Sequence, residues 1–351
     1  MSSLQNRPPA QANDGPARLI LATLRDDGVH TSRQLSDYAQ SGRALRLRRG
    51  VYISRRRWQE APPWTRYRMA TAATALAPSP PVFCHETALM LHGLPLLNLP
   101  PAVLVRSSGP WTDGTRRVPA LTDTWPNIPT KLVEAALPSG KTRPQMRAEI
   151  ADGSTEPPWM ALPASALSSV EGPEIYRVEP MELVLVDTVS RMPFPDAVVV
   201  LDAVKRQGKV NIQPWRAYLR SARRSAFWDR VWDFADARSE SVLESESRAV
   251  LHSLGFPAPD LQTEVLTHLG TFRLDMCWPG ARIAGEVDGR VKYADEALRL
   301  GRSAEEVHFQ EKLRREAIEE LGWRVVRWGK AELREPERLR RRLLRAGLSL
   351  K

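Results

Sequence analysis

The chain contains 351 residues with a formal net charge of +10, and 26% of its residues are charged. This length predicts two or three globular domains of mixed α/β class, and the excess of basic side chains favours an anionic partner such as nucleic acid. No apolar run is long enough to span a membrane, so no membrane partner is expected. Cys84 and Cys277 fall in different predicted domains and no pairing is indicated, which favours a cytoplasmic protein.

The N-terminal part predicts a winged helix-turn-helix domain at 16–60, preceded by a polar, proline-bearing segment at 1–15 that we expect to be a disordered tail. Apolar residues recur at helical spacing in 16–25, which predicts a first short helix. Thr31 begins a second helical stretch. The segment 45–53 then predicts two short strands about a glycine turn, which completes the wing.

Basic and polar side chains crowd the second helix, the wing and the exit from the wing, where such a domain would meet a phosphate backbone. A run of charges is usually only a solvated surface. Many arginines beside few acids on one element are the electrostatic pattern typical of DNA contact, and duplex DNA is the expected partner. The candidate DNA-binding residues are Arg33, Gln34, Arg43, Arg46, Arg48, Arg49, Arg55, Arg56 and Arg57.

Three short stretches carry a family resemblance. Thr-Ser-Arg-Gln-Leu at 31–35, Arg-Gly-Val-Tyr at 49–52 and the helical segment at 82–95 resemble the N-terminal and middle domains of AbiEi-type antitoxins. Those proteins are regulators in type IV toxin-antitoxin systems. The resemblance implies an α+β middle domain with a helical connector at 61–237, and a cognate toxin protein as a candidate partner.

Two apolar runs in the connector, 183–190 and 196–204, predict packed helices. Each run is interrupted by a single acid, Asp187 in the first and Asp202 in the second. Aspartate side chains readily hydrogen-bond to nearby backbone groups. We therefore expect local hydrogen bonding for both acids and no catalytic role.

The C-terminal segment predicts the element order helix, strand, strand, strand, helix, strand. A Pro-Gly turn signal joins the second and third strands, and their alternation places Asp275, Glu286 and Asp288 on one polar face. Converging carboxylates are ligands that suit a hard cation such as Mg²⁺. The open alternative is a solvated hairpin face on which the acids have no shared role.

This order and five short motifs resemble the very-short-patch-repair-like branch of the PD-(D/E)XK nuclease superfamily. The motifs are Glu-Ser-x-x-Arg at 244–248, Gly-x-Pro-x-Pro-x-x-Gln at 255–262, Asp275, Glu-x-Asp-Gly at 286–289 and Gly-Trp-x-Val-x-Arg at 322–327. The resemblance implies a restriction-endonuclease-like αβββαβ core at 238–351. It also implies metal-dependent hydrolysis of DNA phosphodiester bonds.

On this resemblance Asp275, Glu286 and Asp288 would hold Mg²⁺ or Mn²⁺, and Glu244 and Lys292 would complete the catalytic set. Asp288 stands where the superfamily usually has the lysine of Glu-x-Lys, so Lys292 becomes the nearest candidate for the positive charge. Two further candidates on the next helix are Glu311 and Lys312. For Glu244 the alternative is an i,i+4 ion pair with Arg248 on an exposed helix face.

Two functions from different classes stay open at this point. The first is a metal-dependent DNA endonuclease that a winged helix directs to its target. The second is an antitoxin-like transcriptional regulator whose nuclease fold is inactive, as the missing Glu-x-Lys lysine would favour. An RNA-directed nuclease is a weaker third, because winged helices more often bind duplex DNA.

Overall fold

The computed structural model describes residues 16–22, 31–107, 114–116, 128–151, 153, 158–208, 210–287 and 304–351. The chain is a mixed α/β protein with several separate sheets, as predicted. Its described residues divide into two compact units, one within Met1–Gly93 and Leu99–Val184, the other within Leu94–Asn98 and Leu185–Lys351. None of the described helices combines the length and apolar character that a membrane span requires.

The first unit contains small sheets and short helices. In chain order its described elements are β1 (Ala17–Arg18), β2 (Ile20–Leu21), α1 (Ser32–Gln40), β3 (Ala44–Arg48), β4 (Val51–Ser54), α2 (Arg55–Glu60), α3 (Pro63–Ala75), α4 (His85–Leu91), β5 (Val103–Arg106), β6 (Gly114–Arg116), β7 (Thr130–Val133), α5 (Arg143–Ala151), β8 (Met160–Pro163), β9 (Val170–Glu171) and β10 (Ile175–Val178). The strands form sheets with the orders β1-β9, β2-β4-β3, β5-β7-β6 and β10-β8. α4 confirms the helix predicted within 82–95.

The first helix predicted at 16–25 is wrong over its described part, where β1 and β2 are strands. β1 pairs in parallel with β9, and β2 pairs antiparallel with β4. The backbone donors and acceptors of this segment therefore bond to other strands instead of closing helical turns. Residues 23–30, like the predicted tail at 1–15, lie outside the described part of the chain.

The second predicted helix and the hairpin after it are confirmed. α1 buries Leu35 and Ala39 against Tyr52 of β4. β3 and β4 pair antiparallel around Gly50, whose φ of +75° is a conformation that glycine adopts without strain. Since β1 and β2 replace the first helix, the winged-helix assignment stays a prediction.

The second unit contains a four-stranded sheet and the helices that pack on it. α6 (Met181–Val189) includes the division between the units, and the elements after it are α7 (Phe194–Gln207), α8 (Ala222–Phe234), α9 (Val242–Ser253), β11 (Asp260–Thr267), β12 (Gly270–Trp278), β13 (Ile283–Val287), α10 (Ala304–Glu320), β14 (Arg324–Trp328), α11 (Lys330–Arg334) and α12 (Pro336–Arg345). α6 and α7 confirm the helices predicted from the two apolar runs.

The predicted order helix, strand, strand, strand, helix, strand is observed as α9, β11, β12, β13, α10 and β14. β11, β12 and β13 pair antiparallel, with the turn Pro279–Ala281 between β12 and β13. β14 pairs with β13 in parallel, which requires a crossover connection, and α10 lies in that connection. The assignment of this arrangement to the PD-(D/E)XK superfamily stays a prediction.

Both faces of this sheet are covered by helices. On one face Leu251 of α9 and Leu339 of α12 share a core with Trp328 of β14. On the other face Ile318 of α10 packs with Ala284 of β13. Glu286 is buried and Asp275 is half-buried, so these two acids do not lie on the fully solvated hairpin face that the sequence left open.

A buried ion pair joins α7 to α9. Asp202 Oδ2 lies 2.6 Å from Arg248 Nη1, and both side chains are almost fully buried. Asp202 Oδ1 accepts a hydrogen bond from the Asp236 backbone N–H, and Arg248 donates to the Phe234 carbonyl. The local hydrogen bonding predicted for Asp202 is wrong, since its partners lie 34 and 46 residues further along the chain.

This ion pair connects residues 185–237 to the helix that precedes the sheet, and the compact units group these residues with the C-terminal part of the chain. The domain boundaries at 60/61 and 237/238 stay predictions. The division that the described residues show lies within α6 instead.

We predict that Asp202→Ala lowers the free energy of unfolding by about 3 kcal/mol or more, because it leaves the Arg248 charge buried without its acid. The matched control is Asp229→Ala, which removes the acid of the exposed Arg216–Asp229 pair and should cost about 1 kcal/mol or less. Urea denaturation followed by circular dichroism measures both. Equal costs for the two variants would contradict the structural role of the buried pair.

Candidate active site

Asp275 and Glu286 lie on the neighbouring strands β12 and β13, as the sequence predicts. The backbone N–H of Val287 donates to Asp275 Oδ2 at 3.0 Å, which fixes the Asp275 carboxylate beside the end of β13. Glu286 is 6% exposed. The structure thus brings together two of the three carboxylates predicted as metal ligands, with Glu286 buried and Asp275 half-buried.

The pKa of Asp275 is raised from its usual value of 3.8 to about 6. Burial is the largest cause, because it disfavours the charged carboxylate. The charges of Glu244 and Glu286 raise this pKa further, whereas the hydrogen bond from Val287 and the charge of Arg314 lower it. Glu244 and Glu286 therefore each lie close enough to Asp275 for their charges to act on it.

Two arginines contact Glu286. Arg327 Nε donates to Glu286 Oε2 at 2.6 Å, and Arg314 Nη2 lies 3.4 Å from Glu286 Oε1. Arg327 Nη2 also donates to Glu311 Oε2 at 2.8 Å. Burial lowers the pKa of Arg327, but the charges of Glu286 and Glu311 and their hydrogen bonds to the guanidinium together raise this pKa above its usual value. These residues form one network of carboxylates and guanidiniums at the ends of β13 and β14.

The β12 strand departs from regular alternation at Asp275. Leu274 and Cys277 belong to the same core cluster, although two residues three apart on a regular strand face opposite sides. Gln262, on the paired strand β11, has a φ of +54°, which is uncommon for a residue other than glycine. Gln262 Nε2 donates to Glu244 Oε2 at 3.0 Å. The irregular backbone thus lies where the acids converge.

Glu244 has a structural role that differs from the ion pair with Arg248 considered as the alternative to a catalytic role. Its Oε1 accepts from the Ser241 hydroxyl at 2.7 Å, and the Ser241 hydroxyl accepts from the Glu244 backbone N–H. Its Oε2 also accepts from the backbone N–H of Glu240 at 2.9 Å. This is a capping arrangement at the start of α9. The alternative ion pair between Glu244 and Arg248 is not formed, because Arg248 pairs with Asp202.

The remaining predicted residues divide into three cases. Glu311 reaches the site through Arg327. Lys312 is exposed and lies 3.7 Å from Glu316 on the same helix, so it does not join the network. Asp288 and Lys292 lie outside the described residues, so their predicted roles stay predictions.

Whether these residues suit a divalent cation depends on the oxygens that they offer. Glu286 Oε1 is buried and makes no hydrogen bond among the described residues, and Asp275 is a desolvated carboxylate beside two other acids. Such oxygens suit Mg²⁺ or Mn²⁺. Within the described ranges, however, no group of three or more His, Cys, Asp or Glu residues is arranged to hold a metal ion. Asp275 and Glu286 thus offer two of the oxygen donors that such a cation needs, and the predicted third ligand, Asp288, lies outside the described residues.

Sequence reasoning missed three residues of this network, namely Gln262, Arg314 and Arg327. Gln262 and Arg327 end two of the motifs that carry the family resemblance, but their roles were not predicted. Arg314 follows Glu311 by three residues, the spacing that places two side chains on one helix face. That spacing could have predicted that Arg314 lies beside Glu311 at the site.

The residues predicted to bind DNA have different surroundings in the first unit. Arg33, Gln34, Arg43, Arg46, Arg49 and Arg56 are exposed, and Arg55 and Arg57 are half-buried. Arg56 pairs with Glu60 at 2.7 Å on the surface.

Arg48 departs from this group. Its guanidinium donates to the Thr74 hydroxyl at 2.8 Å and to the carbonyls of Leu47 and Ile128, and burial lowers its pKa to about 10. Arg48 therefore holds the first unit together, because its donors are used inside the protein.

No family model matches the chain, and no solved structure matches it. An uncharacterized protein of Mycobacterium tuberculosis strain CDC 1551 is 32% identical over 165 residues, which are 46% of this chain and 58% of that protein. An uncharacterized protein of strain H37Rv matches to the same extent. The chain thus spans 58% of the length of these relatives, whose descriptions state no activity.

The raised pKa of Asp275 predicts that this site destabilises the folded protein at neutral pH. Between pH 4 and 6 the folded state binds a proton that the unfolded state has released, so stability falls as pH rises through about 6. The difference between the two pKa values of Asp275, 3.8 and about 6, lowers the free energy of unfolding above pH 6 by an amount on the order of 3 kcal/mol. We therefore expect Asp275→Asn to raise the unfolding midpoint at pH 8 in EDTA and to change it little at pH 4.

The matched control for this prediction is Asp260→Asn, which neutralises an exposed carboxylate of the same sheet. Thermal unfolding at several pH values between 4 and 8 compares the wild type with both variants. A gain from Asp275→Asn that is equal at pH 4 and pH 8 would contradict a buried, ionised Asp275.

Proposed function

We propose that this protein is a metal-dependent deoxyribonuclease of PD-(D/E)XK type, directed to duplex DNA by an N-terminal winged-helix domain. The observation that supports it best is the convergence of Asp275, within β12, and Glu286, near the end of β13, with Asp275 kept charged at neutral pH despite its partial burial. A fold keeps such destabilising groups when function requires them. The reaction is hydrolysis of a phosphodiester to a phosphomonoester and an alcohol.

Asp275 and Glu286 would hold Mg²⁺ or Mn²⁺, with Asp288 as a third ligand. A bound divalent cation neutralises phosphate charge and lowers the pKa of a water molecule. Above pH 6 Asp275 is ionised and offers its oxygens to the cation. Ligation of Glu286 would release Arg327 and Arg314 from that carboxylate, so their guanidiniums could bind the scissile phosphate. This role for the arginines would compensate for the missing Glu-x-Lys lysine, alongside Lys292.

The second candidate function is an antitoxin-like DNA-binding regulator with an inactive nuclease fold and a cognate toxin as partner. The specific observation in its favour is the contact of Glu286 with both arginines, which neutralises the carboxylate without any metal. In this function the network stabilises the sheet, and DNA binding by the wing is the whole activity.

The first test of the proposed function is incubation of the purified chain with supercoiled plasmid, linear duplex or single-stranded DNA in Mg²⁺, Mn²⁺ or EDTA. We expect cleavage of DNA that requires the metal. Asp275→Ala and Glu286→Ala should each reduce the rate by about 100-fold or more, equivalent to about 2.7 kcal/mol of activation free energy. Both variants should retain DNA binding.

The matched control is Glu264→Ala, which removes an exposed carboxylate from β11 and should leave the cleavage rate unchanged. Cleavage that survives both site substitutions would rule out this site. Duplex binding without cleavage in any metal would favour the regulator.

A separate prediction concerns the wing. Arg46→Gln with Arg49→Gln should weaken binding to duplex DNA and reduce the slope of log affinity against log salt by about 2, since each lost phosphate contact removes about 0.9. Arg48→Gln should instead lower the thermal unfolding midpoint, because its guanidinium bonds within the unit. Fluorescence anisotropy in EDTA at several KCl concentrations measures the slopes. An unchanged slope in the double variant would contradict DNA contact by the wing.

A further inference from the structure

The C-terminal helix α12 has one buried apolar side and one exposed basic side. Its ten residues include five arginines and one glutamate. Leu339 and Leu343 are fully buried in the core cluster that also contains Trp328 of β14. Because these leucines fix the rotation of the helix against the sheet, the residues on the opposite side must face solvent.

Three of the five arginines form that exposed side. Arg338, Arg341 and Arg345 are exposed, and their spacing of three and four residues places them in one row along the helix. The row is about 10 Å long, since seven residues of helix rise about 1.5 Å each. Each strand of duplex DNA carries one phosphate per about 3.4 Å of duplex axis, and because the strand winds around the axis its phosphates lie farther apart than that, so the row is long enough to meet more than one phosphate but not one for every 3.4 Å.

The other two arginines of α12 are engaged by acids. Arg340 Nη1 lies 3.8 Å from Glu337, and Arg342 Nη1 lies 3.4 Å from Glu332. Among the residues that the structure describes, none of the three guanidiniums in the exposed row lies within ion-pair distance of a carboxylate. The acids of this region therefore neutralise the flanks of the helix and leave the row positively charged.

We propose that the row Arg338, Arg341 and Arg345 is a phosphate-binding surface that holds the backbone of a nucleic acid against the second unit. α12 packs on β14, the strand that carries Arg327 of the candidate active site. The row and the wing belong to different compact units, and charge complementarity selects a polyanion as the partner of the row. The inference rests on the proposed function only in taking nucleic acid as the partner, and it does not require hydrolysis.

The test uses the full chain in EDTA, with binding of a fluorescein-labelled 30-base-pair duplex measured at several KCl concentrations. The variant carries Arg338→Gln, Arg341→Gln and Arg345→Gln, and we expect affinity about tenfold weaker at 0.1 M salt and a salt slope reduced by about 2 to 3. The matched control replaces the same three arginines by lysine, which keeps the charge. It should retain most of the affinity and slope, because a phosphate accepts a lysine as a point charge.

Thermal unfolding of both triple variants shows whether the exposed substitutions leave the fold intact. Unchanged affinity and slope in the glutamine variant would overturn the proposal. A loss of binding to phosphatidylserine vesicles with unchanged DNA binding would also overturn it and assign the row to an anionic membrane surface. If duplex binding depends on the row but no DNA is cleaved, this inference stands and the nuclease is rejected. If DNA is cleaved in a metal-dependent way but the glutamine variant binds duplex as the wild type does, the nuclease stands and this inference is rejected.

Discussion

The parallel register of β13 and β14 determines the charge balance at the site. It aligns Gly285 with Val326 and Glu286 with Arg327, so the Glu286 carboxylate and the Arg327 guanidinium meet on the face of the sheet against which α10 packs. This register depends on Gly285, because a Cβ there would lie 2.4 Å from the Trp328 ring. The close approach of Gly285 to the Trp328 ring thus favours the register that pairs Glu286 with Arg327.

Local patterns in the sequence were sufficient to predict the order of helices and strands around this sheet, since each element shows its own periodicity. Local patterns could not predict which distant segments contact one another. Glu286 and Arg327 lie 41 residues apart, and Asp202 and Arg248 lie 46 apart, so no local spacing could predict either pair. The helix predicted at 16–25 failed for the same reason, because its backbone pairs with strands elsewhere in the chain.

The two candidate functions differ in what balances the buried negative charge of the network. Desolvated carboxylates require a cation nearby, and here the cation is either an arginine of the protein or a metal from solution. Arg327 and Arg314 supply that charge in the structure as it stands. In the nuclease the arginines and the metal would compete for Glu286, which makes metal affinity a property of the whole network rather than of the ligands alone.

The ion pair between α7 and α9 also limits how the chain can be divided. A fragment that begins at residue 238 would contain Arg248 in its interior without Asp202, and the hydrogen bond to the Phe234 carbonyl would be missing as well. The smallest fragment that keeps the sheet intact must therefore begin before α7. The connector and the sheet therefore act as one folding unit, and an exchange of only the residues after 238 would place Arg248 beside an acid that did not originate with it.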